Sequence, residues 1–255
     1  MADKTAYHPD GNRFITFLEE PHTYTDNMGV RYQSGTSFSK PYFTKFDMDA
    51  MSRKCAKGRN PKYADRNPED IKAEWLAEGL RGSSEGDNTH LYAEGVYNGI
   101  APSLLPRPIS ERCEKMFIQV DRAADYLFTR YDYIGSEIVI FSPDLNLAGM
   151  VDLLFFDPES RNVLILDHKQ NKEITTENRF QSGFGPLSHL QETHKNKYTL
   201  QLSTYQYILA KEKYFPDATG FKRVLIHYTP TNFKFIPLHY FQHEVTEILK
   251  HEHRI

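Results

Sequence analysis

Apolar positions follow a helical period in the first half of the chain and an extended one after Tyr131. The clearest helical stripe is Cys113, Phe117, Val120, Ala124 and Leu127, which recur every three to four residues behind Ser110, a favourable N-cap. Asp47 is placed to cap a short helix that Gly58 closes. Asn67-Pro68-Glu69-Asp70 puts proline at a first helical position and acids in the first turn. It opens a helix whose apolar face is Ile71, Trp75 and Leu76, and a further helix is expected near Ser84, carrying His90. Ahead of these, residues 14–32 read as strands around an Asp26-Asn27-Met28-Gly29 turn.

Beyond Tyr131, apolar runs at 134–141, 147–156 and 163–169 are divided by turn clusters at 142–146 and 157–162. That pattern predicts a three-stranded antiparallel meander. A polar stretch at 172–195 leads to a helix over 196–214, strands at 221–229 and 233–238, and a helix from Tyr240 onward. The order predicts an α/β fold with a central mixed sheet flanked by helices. Nothing repeats and no Gly/Ser linker occurs, so the expectation is one domain over 1–255. It comprises an N-terminal hairpin and helices (1–83), a core (84–215), and C-terminal strands and helix (216–255).

Composition narrows the function. With 34 acids against 31 Lys and Arg, the net charge of −3 argues against coating nucleic acid or membrane by charge, but leaves room for a local basic groove. Two cysteines, Cys55 and Cys113, exclude a disulfide scaffold and a four-cysteine zinc or iron–sulfur site. No apolar run approaches the ~20 residues of a membrane span, and the polar N-terminus does not resemble a signal peptide. The expectation is a cytoplasmic protein with no membrane partner. Phe and Tyr are abundant, at 17 and 16, which suits a β-sheet core and base stacking equally.

The chemistry concentrates at the end of the third meander strand, where an apolar run closes in Asp167-His168-Lys169. Buried ions are costly unless they are paired or bind a metal. Alternation puts Asp167 and Lys169 on one face and His168 on the other. Asp152 sits in an equally apolar run on the neighbouring strand, and a hairpin brings it beside Asp167. Two carboxylates at ~4 Å repel unless a cation lies between them. Mg²⁺ suits such a site, being hard and oxygen-seeking. The competing account is a salt-bridged strand end. Gln201 and Tyr205, at i and i+4, share a face of the following helix.

Gly149-x-x-Asp152, Asp167-x-Lys169 and Gln201-x-x-x-Tyr205, preceded by Gly86-x-x-x-His90, resemble the RecB-type exonuclease branch of the PD-(D/E)XK nuclease superfamily. The resemblance spans residues 84–210 and implies a restriction-endonuclease-like core. It implies that Asp152 and Asp167 bind one or two Mg²⁺ or Mn²⁺ ions, with the main-chain carbonyl of His168 as an additional ligand. Lys169 would then position or help deprotonate the attacking water. His90 is a metal ligand by the same resemblance, Glu137 a further acid on the preceding strand, and Glu94 a weaker candidate one turn after His90. Gln201 and Tyr205 would touch DNA phosphate or order the lysine.

Val151 stands where many relatives of the wider superfamily have proline, and two cysteines cannot build the iron–sulfur site of the cluster-bearing, CRISPR-associated relatives. The implied protein is a phage-like, metal-dependent DNA exonuclease for recombination, repair or phage DNA processing, with a recombination or annealing protein as a conceivable partner. A structure- or site-specific endonuclease and a silent DNA-binding module are the alternatives. Arg53, Lys54, Lys57, Arg59, Lys62 and Arg66 form a basic run that is either a solvated surface or a DNA-contact patch. Lys195 and Lys197 are either phosphate contacts or solubility charges. His239 and His243 have zinc-like spacing but no third ligand. Residues 172–195 form a gating loop or a plain surface loop.

Overall fold

The three apolar runs fold into the antiparallel meander that their turns predict, at the centre of a nine-stranded mixed sheet. The computed structural model describes residues 3–255. The strands are β1 (Lys4–Tyr7), β2 (Phe14–Leu18), β3 (Thr23–Asp26), β4 (Arg31–Ser34), β5 (Asp132–Ser142), β6 (Leu147–Asp157), β7 (Asn162–Lys169), β8 (Gly220–Thr229) and β9 (Asn232–Leu238). The helices are α1 (Gly35–Phe38), α2 (Met48–Ala56), α3 (Pro68–Tyr97), α4 (Glu111–Phe128), α5 (His194–Lys211) and α6 (Gln242–His251).

The sheet divides at β6. Its C-terminal half pairs with β7 as far as Leu153↔Leu166, and its first residues pair in parallel with β4 on the edge that β7 has left. Between the two pairings lie Gly149, Met150, Val151 and Asp152. β7 runs parallel to β8 from Asn162↔Gly220 to Lys169↔His227, joined through α5. A parallel pair needs such a crossover, which lays α5 across one face of the sheet. Leu200, Tyr205 and Ile208 of α5 and Val245 and Ile248 of α6 pack there on Leu154 and Ile165. On the other face, Ala93 and Tyr97 of α3 and Val120 and Leu127 of α4 cover Leu153, Phe155 and Leu166. Side-chain alternation along β7 therefore sends Asp167 toward α5 and His168 toward α3 and α4.

The expected caps form. Asp47 accepts from Ala50 N (2.9 Å), Asn67 from Glu69 N (3.0 Å) and Ser110 from Cys113 N (3.1 Å). The Ser110 stripe is buried at every named position. Three expectations need correction. The helices expected from Asn67 and from Ser84 are one 30-residue helix, continuous through Gly79, Gly82 and Gly86. Its glycine-rich middle weakens local propensity, but the N-terminal half is held by α2 through Lys72–Asp49, by Glu74 pairing Lys62 and Arg66, and by Trp75 Nε1 donating to Tyr63 Oη. Leu76 is 52% exposed: Ile71 and Trp75 are four apart on one face, and Leu76 lies about 100° further round the helix. The N-terminal segment read only as polar contains β1, an edge strand paired with β2. Both its faces are partly wet, so no hydrophobic alternation announced it.

Two predictions follow from this packing. An ideal Cβ on Gly149 would lie 2.4 Å from Cε1 of the buried Tyr205 ring. Gly149→Ala is therefore expected to cost about 1–3 kcal/mol, read as a lower urea midpoint at unchanged slope. Asp157 accepts from Lys222 Nζ (2.8 Å) and from the amides of Glu159 and Ser160 in the β6–β7 turn. The Lys222 ammonium and these donors hold its carboxyl well below the usual carboxylate range. A depressed folded-state value gives stability that is present above the unfolded value, about pH 4, and lost as pH falls below it. Asp157→Asn should flatten the acid side of the stability–pH curve.

Candidate active site

The end of β7 supplies the buried centre of the site. Asp167 and Lys169 share one face; the Lys169 ammonium contacts Asp167 Oδ2 and donates to the carbonyl of His168 (3.2 Å). Gln201 of α5 donates from Nε2 to Asp167 Oδ1 (3.3 Å) and to Tyr205 Oη (3.2 Å). Tyr205 also shares a hydrogen bond with Thr36 Oγ1 (3.3 Å). At 3% exposure, Tyr205 sits below the reach of a strand crossing the surface, which leaves it the ordering role of the two expected for it. The glycine of Gly149-x-x-Asp152 has a packing reason, because the Tyr205 ring fills the space a Cβ would take.

His168 contributes its backbone, and its ring has another task. The imidazole stacks between Tyr97 and Tyr228, each with its centroid 5.6 Å away, and Nδ1 is 3.0 Å from Tyr228 Oη. Burial lowers its pKa to about 3, so the ring is neutral. The His168 carbonyl faces the site, where it lies 3.2 Å from His90 Nε2. The His168 amide donates to Asp152 Oδ2 (2.9 Å), so a side chain takes a ladder position where β6 and β7 part.

His90 of α3, Glu137 of β5 and Asp152 of β6 bring one ligand atom each to within 4.8 Å of one another. His90 Nδ1 lies 3.7 Å from Asp152 Oδ2. Glu137 stands mid-strand at φ 49°, a left-handed conformation that is costly for a non-glycine residue and is found mainly where function requires it. The flanking register, Ser136↔Leu153 and Ile138↔Val151, sets it opposite Asp152. The meander register carried on by one residue sets Asp152 opposite Asp167. Three acids thus stand in a row across three strands.

Burial, then the charge on Asp152, pushes the Glu137 carboxyl up to about 9, against the opposing pull of Lys4. Burial likewise raises Asp167. Burial disfavours the charge on Lys169, but Asp167 and Asp152 outweigh it and keep the ammonium protonated. Crowded acids at this depth, with an imidazole and a carbonyl beside them, have the donor chemistry of a divalent-cation site. His90, Glu137, Asp152 and the His168 carbonyl are arranged to hold such an ion. Asp167, already engaged by Lys169 and Gln201, lies outside the three-residue group.

Several supporting residues carried no motif. Glu85 is buried and accepts from Arg112 Nη1 (3.0 Å) and Ser110 Oγ (2.9 Å), while Arg112 Nη2 donates to the Gln170 carbonyl (2.8 Å). Gln170 in turn donates to the Gly86 carbonyl (3.3 Å). This clamp ties the His90 turn of α3 to the end of β7; a buried acid on the α3 face was its only trace in the sequence. Lys4 donates to Glu94 Oε1 (3.0 Å) and to the Glu137 carbonyl (3.4 Å), so Glu94 is ion-paired and is not one of the converging acids.

The basic run is only partly available. Arg53, Lys54 and Lys57 are exposed at the end of α2, whereas Lys62 and Arg66 both pair with Glu74. α2 is anchored at Lys72, eighteen residues before His90, or roughly 27 Å along α3. Lys197 pairs with Glu192 (2.8 Å). Among the described residues, His239 and His243 gather no metal-binding group.

No curated protein matches the chain. The family model of the PD-(D/E)XK nuclease superfamily, whose members use divalent metal ions, matches residues 48–251, from the start of α2 to the end of α6. That stretch contains every acid, lysine and histidine of the site described above, and the mixed sheet flanked by helices is the architecture of that superfamily. The chain belongs to the PD-(D/E)XK nuclease superfamily.

Proposed function

We propose that the protein is a DNA exonuclease dependent on Mg²⁺ or Mn²⁺, serving recombination, repair or phage DNA processing. The observation that carries this is the convergence of His90, Glu137 and Asp152 beside a Lys169 held charged by Asp167. A divalent cation held there supplies Lewis acidity toward a phosphate oxygen and toward water. The imidazole of His90 makes Mn²⁺ as comfortable as Mg²⁺.

The protein's own groups do the rest. Hydrolysis adds negative charge to a pentacovalent phosphorus and expels an alkoxide. Lys169 offers N–H donors and a full positive charge where that charge develops, in a position buried from bulk water. Asp167 fixes the ammonium, and Gln201 fixes Asp167. Tyr205, bonded to Gln201 and Thr36, locks the α5 side of the assembly. Asp152 also holds the His168 amide, which aligns the carbonyl offered to the cation. Arg53, Lys54 and Lys57 lie far enough along α3 to engage the strand several nucleotides from the cut, adding salt-dependent affinity. The RecB-type motif set, Gly86 to His90 and Gln201 to Tyr205, supports the exonuclease over an endonuclease on the same core. The complete set of acids and lysine supports catalysis over silent DNA binding.

Asp167→Asn and Lys169→Met are expected to lower single-turnover cleavage by about 100-fold or more, with circular dichroism and DNA binding retained. Near-normal rates in either variant would refute the assignment. Asp152→Ala should abolish Mn²⁺ binding measured by calorimetry, whereas Gln201→Ala should keep that binding and lose about tenfold in kcat. On end-labelled DNA, the wild type should degrade linear molecules with either metal, stop in EDTA and spare covalently closed circles. Cutting of the circle identifies the endonuclease, and DNA retention without cleavage by either metal identifies the binding module.

A further inference from the structure

Beside the catalytic lysine the protein carries a second, differently built cavity of about 650 Å³, within the range of ligand pockets. One wall is the segment from Thr36 to Lys45; the other is α5 at Lys197, Tyr198 and Gln201. Its apolar surface comes from Pro41, Phe43 and Tyr198, and its rim carries Lys40 and Lys45. Among the described residues neither of these lysines has a carboxylate at ion-pair distance, whereas Lys197 is neutralised by Glu192. Glu192 also accepts from the Thr44 amide (3.2 Å), so one carboxylate pins both walls.

Two contacts join this cavity to the chemistry. Gln201 lines it and holds Asp167, and the ring of Tyr198 lines it with the Lys169 ammonium 4.9 Å from its centroid. A group seated in the cavity is therefore next to the scissile phosphate. Aromatic and apolar surface, hydroxyls of Thr36, Ser39 and Thr44, and two uncommitted ammonium groups match a nucleotide: the base against the rings, a neighbouring phosphate at the rim.

We propose that this cavity holds an unpaired nucleotide of the strand being cut, adjacent to the scissile phosphate, with its base against Phe43 and Tyr198 and its outer phosphate on Lys40 and Lys45. The proposal deepens the nuclease function proposed above and rests on it for the placement of the scissile phosphate. A base enters a cleft walled on both sides only after leaving its partner, so the cavity selects single-stranded or frayed ends.

The test uses single-stranded oligonucleotides with 2-aminopurine at successive positions, bound to the wild-type protein in EDTA. A change in fluorescence confined to one position is expected. The exposed double substitution Lys40→Gln/Lys45→Gln should weaken binding and reduce the salt slope by about 1.4, from two lost phosphate contacts on a single strand. With metal added, an abasic residue walked along the same strand should slow cleavage about tenfold at that position alone. Equal fluorescence responses at all positions, or cleavage indifferent to the abasic walk, would overturn the pocket while leaving the nuclease standing. A position-specific response without cleavage by either metal would do the reverse.

Discussion

Everything at the active end of the sheet depends on keeping one ammonium charged where water hardly reaches. Lys169 is buried, and in isolation it would shed its proton rather than bear that desolvation. Asp167 makes the charge tolerable, and Asp167 is itself tolerable only because Lys169 and Gln201 satisfy it. Gln201 is placed by α5, and α5 by the parallel crossover from β7 to β8. The Tyr205 ring locks that helix over Gly35 and Gly149. Removing one partner strands a buried charge, which costs far more than the pair contributes when intact.

The second constraint is the crowding of Glu137, Asp152 and Asp167. Three carboxylates in a row across adjacent strands repel, and the fold answers with Lys4 and Lys169 at the two ends of the row. The middle is served by His90, which is neither a fixed cation nor an acid. That arrangement leaves the centre electron-rich and the ends neutralised, a gradient suited to one hard cation bounded by protein charges. His168 shows how sharply the sheet separates roles: its carbonyl belongs to the site, while its neutral ring belongs to the aromatic layer of Tyr97 and Tyr228.

Much of this was legible in the chain because the acids and Lys169 break otherwise apolar strands, and buried charges are conspicuous there. The meander, the Ser110 helix and the Gln201–Tyr205 face followed from simple periodicity. What escaped was carried by polar residues in polar surroundings. β1 has two half-wet faces, so Lys4 gave no sign of reaching Glu94 and Glu137. The continuity of α3 was hidden by glycines that local propensity reads as a break, and that tertiary ion pairs to α2 override. The Glu85–Arg112 clamp joins residues 27 apart, a separation no local pattern encodes. The partial neutralisation of the basic run depends on Glu74, whose role is visible only in three dimensions.

The long sequence separations within the site also bear on when it comes into being. His90 meets the end of β7 across 78 residues, Gln201 closes on Asp167 across 34, and Lys4 reaches the Glu137 carbonyl across 133. Contacts of this range form late, after the loops between them have closed. A chain emerging from the ribosome carries no assembled centre until α5 has been made and docked. Partially synthesised copies are thereby unable to cut nucleic acid around them, and the topology itself acts as a safeguard against premature hydrolysis.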